Sequence, residues 1–140
     1  FRKKIEEESF RLNLAGRVLF CGSVPYHELH EWTSSADAGL CFIEPISFSY
    51  KLALPNKLFE YIMARIPVLA SDLPAIKKII DEENTGIALS SESSPGQIAE
   101  ALKELCRDDK KASFLAACNK AALKYSYENQ INKILNIAEE

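Results

Sequence analysis

Short apolar segments alternate with helix-favouring segments along the chain. Four runs have the length of buried strands: RVLFCG at 17–22, AGLCFIEP at 38–45, PVLASD at 67–72 and TGIALS at 85–90. No hairpin turn signal joins any two of them. This alternation predicts an α/β fold, in which right-handed βαβ units build a parallel sheet covered by helices on both faces.

Helical spacing characterises the segments around the apolar runs. It predicts helices at 1–16, 25–37, about 55–65 and 73–84. The sequence SPGQ starts a further helix, with Ser94 and Gln97 forming a capping box. Two more helices make a helical C-terminal tail, and the last presents an apolar face of Ile131, Ile134, Leu135 and Ala138. The stretch between the second apolar run and Pro55 is predicted to be a loop.

The composition is ordinary for a globular protein, with 47% hydrophobic residues, 26% charged residues and a net charge of −3 over 140 residues. This charge leaves no basic stripe to neutralise phosphates along a duplex, so general nucleic-acid binding is excluded. No apolar run approaches the roughly 20 residues that cross a bilayer. The four cysteines lack CxxC spacing, which disfavours a zinc site and favours buried thiols in a reducing cytoplasm.

The length fits one domain. The chain starts at Phe1 and its only methionine is Met63, so we expect residues 1–140 to be a single domain that is truncated at its N-terminus.

The stretch LPNKLFEY carries the candidate site. Ligands of open parallel sheets bind at the carboxyl ends of the strands, and the loop 44–54 is long enough to be functional. Pro55 suits the first helical position, which leaves the amides of Asn56, Lys57 and Leu58 pointing outward. A helix end of this kind carries partial positive charge and favours an anion such as phosphate.

Glu60 is the second part of this candidate site. It is predicted to share one helical face with Asn56 and Lys57, where its carboxylate could accept hydrogen bonds from two ribose hydroxyls. The alternative is an exposed ion pair between Lys57 and Glu60, worth only about 0.3 to 0.5 kcal/mol. On chemistry alone the ion pair is the more common arrangement, since such pairs abound on solvated helix faces.

Two longer segments resemble a known family. They are VLFCGSVPYHELHEWTSSADAGLCFIEP and PNKLFEYIMARIPVLASDLPAIKKIIDEENTGIAL. The order P-x-K-x-x-E-Y, then P-V-x-A-S-D, then a glycine such as Gly86, resembles the carboxyl-terminal, donor-binding domain of group 1 glycosyltransferases with the GT-B fold. In that family two Rossmann-like domains face each other across a cleft. The resemblance therefore implies a Rossmann-like parallel sheet flanked by helices, one half of a GT-B fold.

The resemblance also implies a site for a nucleotide sugar. Glu60 matches the family glutamate that binds the donor ribose, and the backbone of 56–58 matches the helix start that meets the diphosphate. The loop that lines the nucleobase is matched by Gly22, Ser23, Val24 and Tyr26. From the residues alone, Gly22 is equally a tight-turn glycine and Tyr26 a packing partner of Trp32.

One position departs from the family pattern. Many members carry a second glutamate eight positions before the ribose-binding one, where it contacts the transferred sugar, and that position here is Leu52. The loop offers four candidate donor-sugar contacts instead: Glu44, Ser47, Tyr50 and Lys51. The catalytic residues stay unassigned.

The function implied by the resemblance is transfer of a sugar, as in polysaccharide biosynthesis. The enzyme would be of hexosyltransferase type and move the sugar from a nucleotide-diphosphate donor to a glycan or lipid-linked acceptor. The acceptor-binding domain, expected upstream of Phe1, is the implied partner, and this chain alone is expected to be inactive. No metal or other cofactor is implied, because the chain has no DxD cluster. A cytoplasmic location is expected, and peripheral membrane association of the full-length enzyme is compatible with the resemblance.

Two other readings stay open. A sugar-nucleotide epimerase would use the same cleft, but needs carboxylates and histidines that converge on the sugar. His27 and His30 are expected to be poorly placed for that chemistry. A non-catalytic, flavodoxin-like interaction module is the third reading, and Cys21-Gly22 stands where such modules often carry acidic residues.

Overall fold

A computed structural model describes residues 2–14 and 16–138 of the chain. Phe1 and Ala15 of the predicted first helix lie outside these residues, and so does the side chain of Ala138 on the predicted apolar face of the last helix. Within the described part the helices are α1 (Arg2–Arg11), α2 (Tyr26–Ser34), α3 (Phe48–Lys51), α4 (Asn56–Met63), α5 (Pro74–Glu83), α6 (Pro95–Cys106), α7 (Asp108–Tyr125) and α8 (Tyr127–Ala138). The strands are β1 (Gly39–Cys41), β2 (Val68–Ser71) and β3 (Gly86–Leu89).

The three strands form one parallel sheet in the order β1-β2-β3. Gly39 pairs with Val68, and Val68 pairs with Gly86, so the strands start level with one another. The central strand β2 is buried at every position. Because each strand reaches its parallel neighbour through a helical connection, the prediction of an α/β fold around a parallel sheet is confirmed.

Helices cover both faces of the sheet, as predicted. On one face the buried residues of α4, α5 and α7 pack against Val68 and Ala70: Leu58, Ile62, Ile76, Ile79, Ile80, Ala121 and Ala122. On the other face Leu69 packs with Ala101 and Leu105 of α6. Successive side chains of β2 point to opposite faces, and this alternation joins the two halves of the core.

The segment RVLFCG has no regular secondary structure, so the prediction of a strand at 17–22 is wrong. Leu19 is 79% exposed. Within the described residues the sheet pairings do not include this segment. Its one side-chain hydrogen bond there comes from α1, since the Arg2 guanidinium donates to the Phe20 carbonyl at 3.3 Å. An apolar run becomes a strand only when a neighbouring strand satisfies its amides and carbonyls.

Local chemistry sets the helix boundaries. The capping box is confirmed, because Gln97 N donates to Ser94 Oγ at 3.3 Å and Ser94 N donates to Gln97 Oε1 at 2.8 Å. The predicted loop after β1 contains the short helix α3, whose cap is Ser47. Pro55 is the N-cap of α4 and not its first residue, with ψ at 143°.

The cysteines divide into two classes. Cys41 and Cys118 are buried as expected, and burial raises the pKa of the Cys118 thiol to about 11. Cys21 and Cys106 are exposed, so the expectation of buried thiols is wrong for them. Cys21 lies in the segment that fails to form a strand, and Cys106 ends α6. Across residues 2–14 and 16–138, no helix is both long and apolar enough to cross a membrane.

Candidate functional site

A groove of about 560 Å³ lies between α2 and α4. Both helices face it with residues spaced i, i+3, i+4 and i+7, which is the spacing of one helical stripe. The stripe of α2 consists of Tyr26, Leu29, His30 and Thr33. The stripe of α4 consists of Asn56, Phe59, Glu60 and Met63.

The topology orients this groove. α4 connects β1 to β2, so it runs from the carboxyl edge of the sheet back to its amino edge, and α2 leads into the amino end of β1. Tyr26 and Asn56 are the first residues of their helices. His30 and Glu60 each come four residues later, one turn further in.

The first turn of α4 exposes fewer amides than the sequence predicts. Leu58 N donates to Pro55 O at 3.1 Å, and the Leu58 side chain is fully buried in the core. Leu58 therefore holds the helix to the sheet and offers no free amide. The backbone amides of Asn56 and Lys57 remain free, because no side chain caps this helix and no acceptor within the described residues hydrogen-bonds to them.

Lys57 and Glu60 do not form the surface ion pair. Within the described residues neither takes part in an ion pair shorter than 4.0 Å. Glu60 lines the groove with Asn56, whereas Lys57 does not. Burial raises the pKa of the Cys41 thiol and the Lys57 ammonium offsets part of that rise, so the ammonium acts close to the end of β1. Asn56 and Glu60 thus face the groove, and Lys57 lies outside its lining.

The candidate donor-sugar loop follows β1 and stays outside the groove. Glu44 lines a second cavity of about 360 Å³, together with Ser91 and Glu92. The Ser47 hydroxyl accepts from Tyr50 N at 3.3 Å and caps α3. Tyr50, Lys51 and Leu52 are exposed on and after this helix.

A buried hydroxyl at the end of β2 anchors this loop. Ser71 ends β2, and its Oγ accepts from Ile43 N at 2.5 Å and donates to Ile43 O at 3.0 Å. The two bonds fix the backbone of Ile43, where the chain leaves the sheet. A serine as the last residue of an otherwise apolar strand was the available signal.

The candidate nucleobase loop contributes one residue to the groove. Gly22 has φ at +76°, a conformation that favours glycine. Ser23 and Val24 lead to Pro25, the N-cap of α2. Of the four predicted residues only Tyr26 lines the groove, and it is 88% exposed.

Comparison with known proteins identifies the family. The pattern of the family described as glycosyl transferases group 1 matches residues 2–108, more than half of the chain. The chain belongs to the group 1 glycosyltransferases. No curated protein and no solved structure shows a significant match. The parallel sheet and its flanking helices agree with one Rossmann-like half of a GT-B fold.

The two histidines of this glycosyltransferase domain, His27 and His30, were weighed in the sequence only for epimerase chemistry. Both line the groove together with Glu60. The available signal was the spacing of α2, in which positions 26, 30 and 33 form one stripe.

Among residues 2–14 and 16–138, no three His, Cys, Asp or Glu side chains cluster in a way that could hold a metal ion. Glu44 and Glu92 share the second cavity as a pair only.

Proposed function

We propose that this glycosyltransferase domain binds a nucleotide-diphosphate sugar. The carrying observation is the position of the Glu60 carboxylate in the groove, one turn from the free amides that begin α4. A carboxylate that makes no ion pair suits neighbouring hydroxyls, since each charge-assisted hydrogen bond is worth roughly 1.5 to 3 kcal/mol. The amides suit an anion, since the start of a helix carries partial positive charge.

The Glu60 carboxylate and the positive groups at the start of α4 lie apart, and this separation suggests how the donor lies. The nucleoside occupies the groove and its ribose hydroxyls donate to Glu60. The diphosphate lies at the start of α4, near the amides of Asn56 and Lys57 and the ammonium of Lys57. The sugar then points toward the loop 44–54, where Glu44, Tyr50 and Lys51 are the candidate contacts. Gly22, Ser23 and Val24 border the nucleobase end from the chain before α2.

The full-length enzyme would transfer a hexose from this donor to a glycan or a lipid-linked acceptor held by a second, acceptor-binding domain. Polysaccharide biosynthesis in the cytoplasm is the process that fits this chemistry. The proposal requires no metal, because amides, helix dipole and Lys57 offset the charge of the diphosphate. On this proposal the 140-residue chain binds donor and does not turn it over.

Nucleotide titration tests the proposal. UDP, GDP, ADP and dTDP would be titrated against the chain by calorimetry and by amide chemical shifts. We expect one or more to bind, with shifts at 56–60 and along α2. Glu60→Ala should weaken binding by at least about 1 kcal/mol, or fivefold. Glu82→Ala, which removes an exposed carboxylate from α5, is the matched control and should change nothing. Binding of no nucleotide at millimolar concentration would refute the proposal.

One observation favours epimerase chemistry as a second candidate. Two imidazoles and a carboxylate line one groove, and epimerisation uses groups of these kinds. Glu60 is, however, the one carboxylate among the described lining residues, and donor ribose already engages it in the proposed mode. Product analysis with the full-length enzyme separates the two, since transfer releases a nucleoside diphosphate and epimerisation leaves the nucleotide sugar intact.

A further inference from the structure

The groove contains an imidazole on the wall opposite Glu60. His30 lies four residues from the start of α2, and Glu60 lies four residues from the start of α4. Both line the groove, His30 from α2 and Glu60 from α4. The imidazole and the carboxylate therefore belong to its two opposite walls.

The His30 imidazole is uncommitted. Within the described residues it makes no hydrogen bond and no ion pair, whereas the neighbouring His27 Nε2 lies 3.5 Å from Glu28 Oε1. The Thr33 hydroxyl on the same wall is engaged, because Thr33 Oγ1 donates to Leu29 O at 2.7 Å. His30 thus keeps one donor and one acceptor available in its neutral form.

The charges of the groove indicate which part of a ligand His30 meets. No lysine or arginine is found among its described lining residues, and the Lys57 ammonium lies toward β1. A diphosphate inside the groove would lack a permanent cation. Hydroxyl groups and base edges, in contrast, match an imidazole, a carboxylate and the flat faces of Tyr26 and Phe59.

We propose that His30 contacts the nucleoside of the donor from the wall opposite Glu60 and contributes to selection of the nucleobase. This inference rests on the proposed function and adds a residue to the same site. Its imidazole hydrogen-bonds the base edge or a ribose hydroxyl, while Glu60 accepts from the ribose. The two residues then hold one nucleoside between them, so their contributions are coupled.

The test compares His30→Ala, His30→Gln and Glu31→Ala in the 140-residue chain. Glu31 is the exposed neighbour of His30 on α2 and does not line the groove, so it serves as the matched control. The probes are the nucleoside diphosphate that the wild-type chain binds best, the other three diphosphates and inorganic pyrophosphate. Circular dichroism checks that each variant folds.

We expect His30→Ala to weaken the preferred nucleoside diphosphate about tenfold, as loss of one hydrogen bond implies. The differences in affinity among the four nucleoside diphosphates should become smaller. The affinity for pyrophosphate should stay within about twofold of wild type, since pyrophosphate lacks a nucleoside. His30→Gln, which keeps a donor and an acceptor, should retain most of the affinity. The double variant with His30→Ala and Glu60→Ala should lose less affinity than the product of the two single fold-losses.

Three results would overturn the inference. If His30→Ala behaves like Glu31→Ala while Glu60→Ala weakens binding, His30 is not a nucleoside contact and the proposed function stands. If the wild-type chain binds none of the four nucleoside diphosphates, the proposed function fails and the inference fails with it. An equal loss of pyrophosphate and nucleoside diphosphate would also contradict it, because the effect would then lie outside the nucleoside.

Discussion

β2 and the segment at 17–22 are two apolar regions of similar length with opposite surroundings. Val68, Leu69 and Ala70 of β2 have no exposed surface, whereas Leu19 is 79% exposed. β2 has a paired strand on each side and helices above and below. The segment at 17–22 has no such partner within the described residues.

The difference teaches that burial in this fold comes from neighbours more than from the apolar run itself. A central parallel strand needs both edges paired and both faces covered. β2 meets these conditions because β1 and β3 both lie beside it. The consequence for function is that α4 packs directly on the buried sheet, whereas the segment that leads into α2 lies outside the strand pairings of the described residues.

The substitution with the largest expected effect disrupts the pairing of β2 with β3. A Cβ added at Gly86 would lie 1.8 Å from Val68 O, a backbone atom that cannot move aside without separating β2 from β3. We expect Gly86→Ala to destabilise the fold by about 3 kcal/mol or more, measured by urea unfolding.

Gly96→Ala is the control for that substitution. Gly96 lies in α6, and the nearest atom to an added Cβ is Ser94 Oγ at 3.9 Å. Alanine is the better helix former, so stability should hold or rise slightly. Equal stability losses in the two variants would mean that the close approach at Gly86 is not what limits the sheet.

The second prediction compares the two regions directly. Leu69→Ala removes a fully buried side chain from the core beneath α6 and should cost about 2 to 5 kcal/mol. Leu19→Ala removes an exposed side chain of the same kind and should stay within about 0.5 kcal/mol of wild type. Urea unfolding measures the free energy of unfolding of both variants. A loss at Leu19 comparable to that at Leu69 would show that the first segment is buried in solution.

The same contrast explains how much of the fold could be predicted. PVLASD and TGIALS, with the helices around them, were predicted correctly because each apolar stripe has its partner in the described chain. The capping box at Ser94 is a local motif and needs no tertiary information. RVLFCG failed because pairing is a tertiary property, and the pattern alone cannot show whether a neighbour is present.

The site was predictable to a smaller extent. Glu60 and Asn56 lie in one groove because a spacing of four on a helix guarantees it. Lys57 does not line the groove and Leu58 is buried in the core. Neighbouring helix positions differ by about 100°, and only packing decides which of them faces the sheet. His30 was missed because its position depends on where α2 lies beside α4, which no local pattern specifies.

The prediction with the smallest expected effect compares two ion pairs, one beside the core at the end of α5 and one on the surface of α1. Glu83, at the end of α5, accepts from Lys124 Nζ and from Tyr125 Oη at 3.2 Å, and its side chain is 7% exposed. Glu8 and Arg11 of α1 also pair at 2.5 Å, but both side chains are at least half exposed. Solvent screening weakens the second pair, so Glu83→Gln should cost about 1 kcal/mol at pH 7 and Glu8→Gln nothing measurable.

The pH dependence sharpens this last comparison. The hydrogen bond from Lys124 holds the pKa of Glu83 below its ordinary value. Stability from a lowered carboxylate pKa is fully present above the unfolded-state pKa of about 4.3, and is lost as the pH falls through the folded pKa. The gap between wild type and Glu83→Gln in urea unfolding should therefore be constant above about pH 6 and shrink toward pH 3. A gap that persists unchanged at pH 3 would mean that Glu83 stabilises the α5–α7 contact through packing and not through its charge.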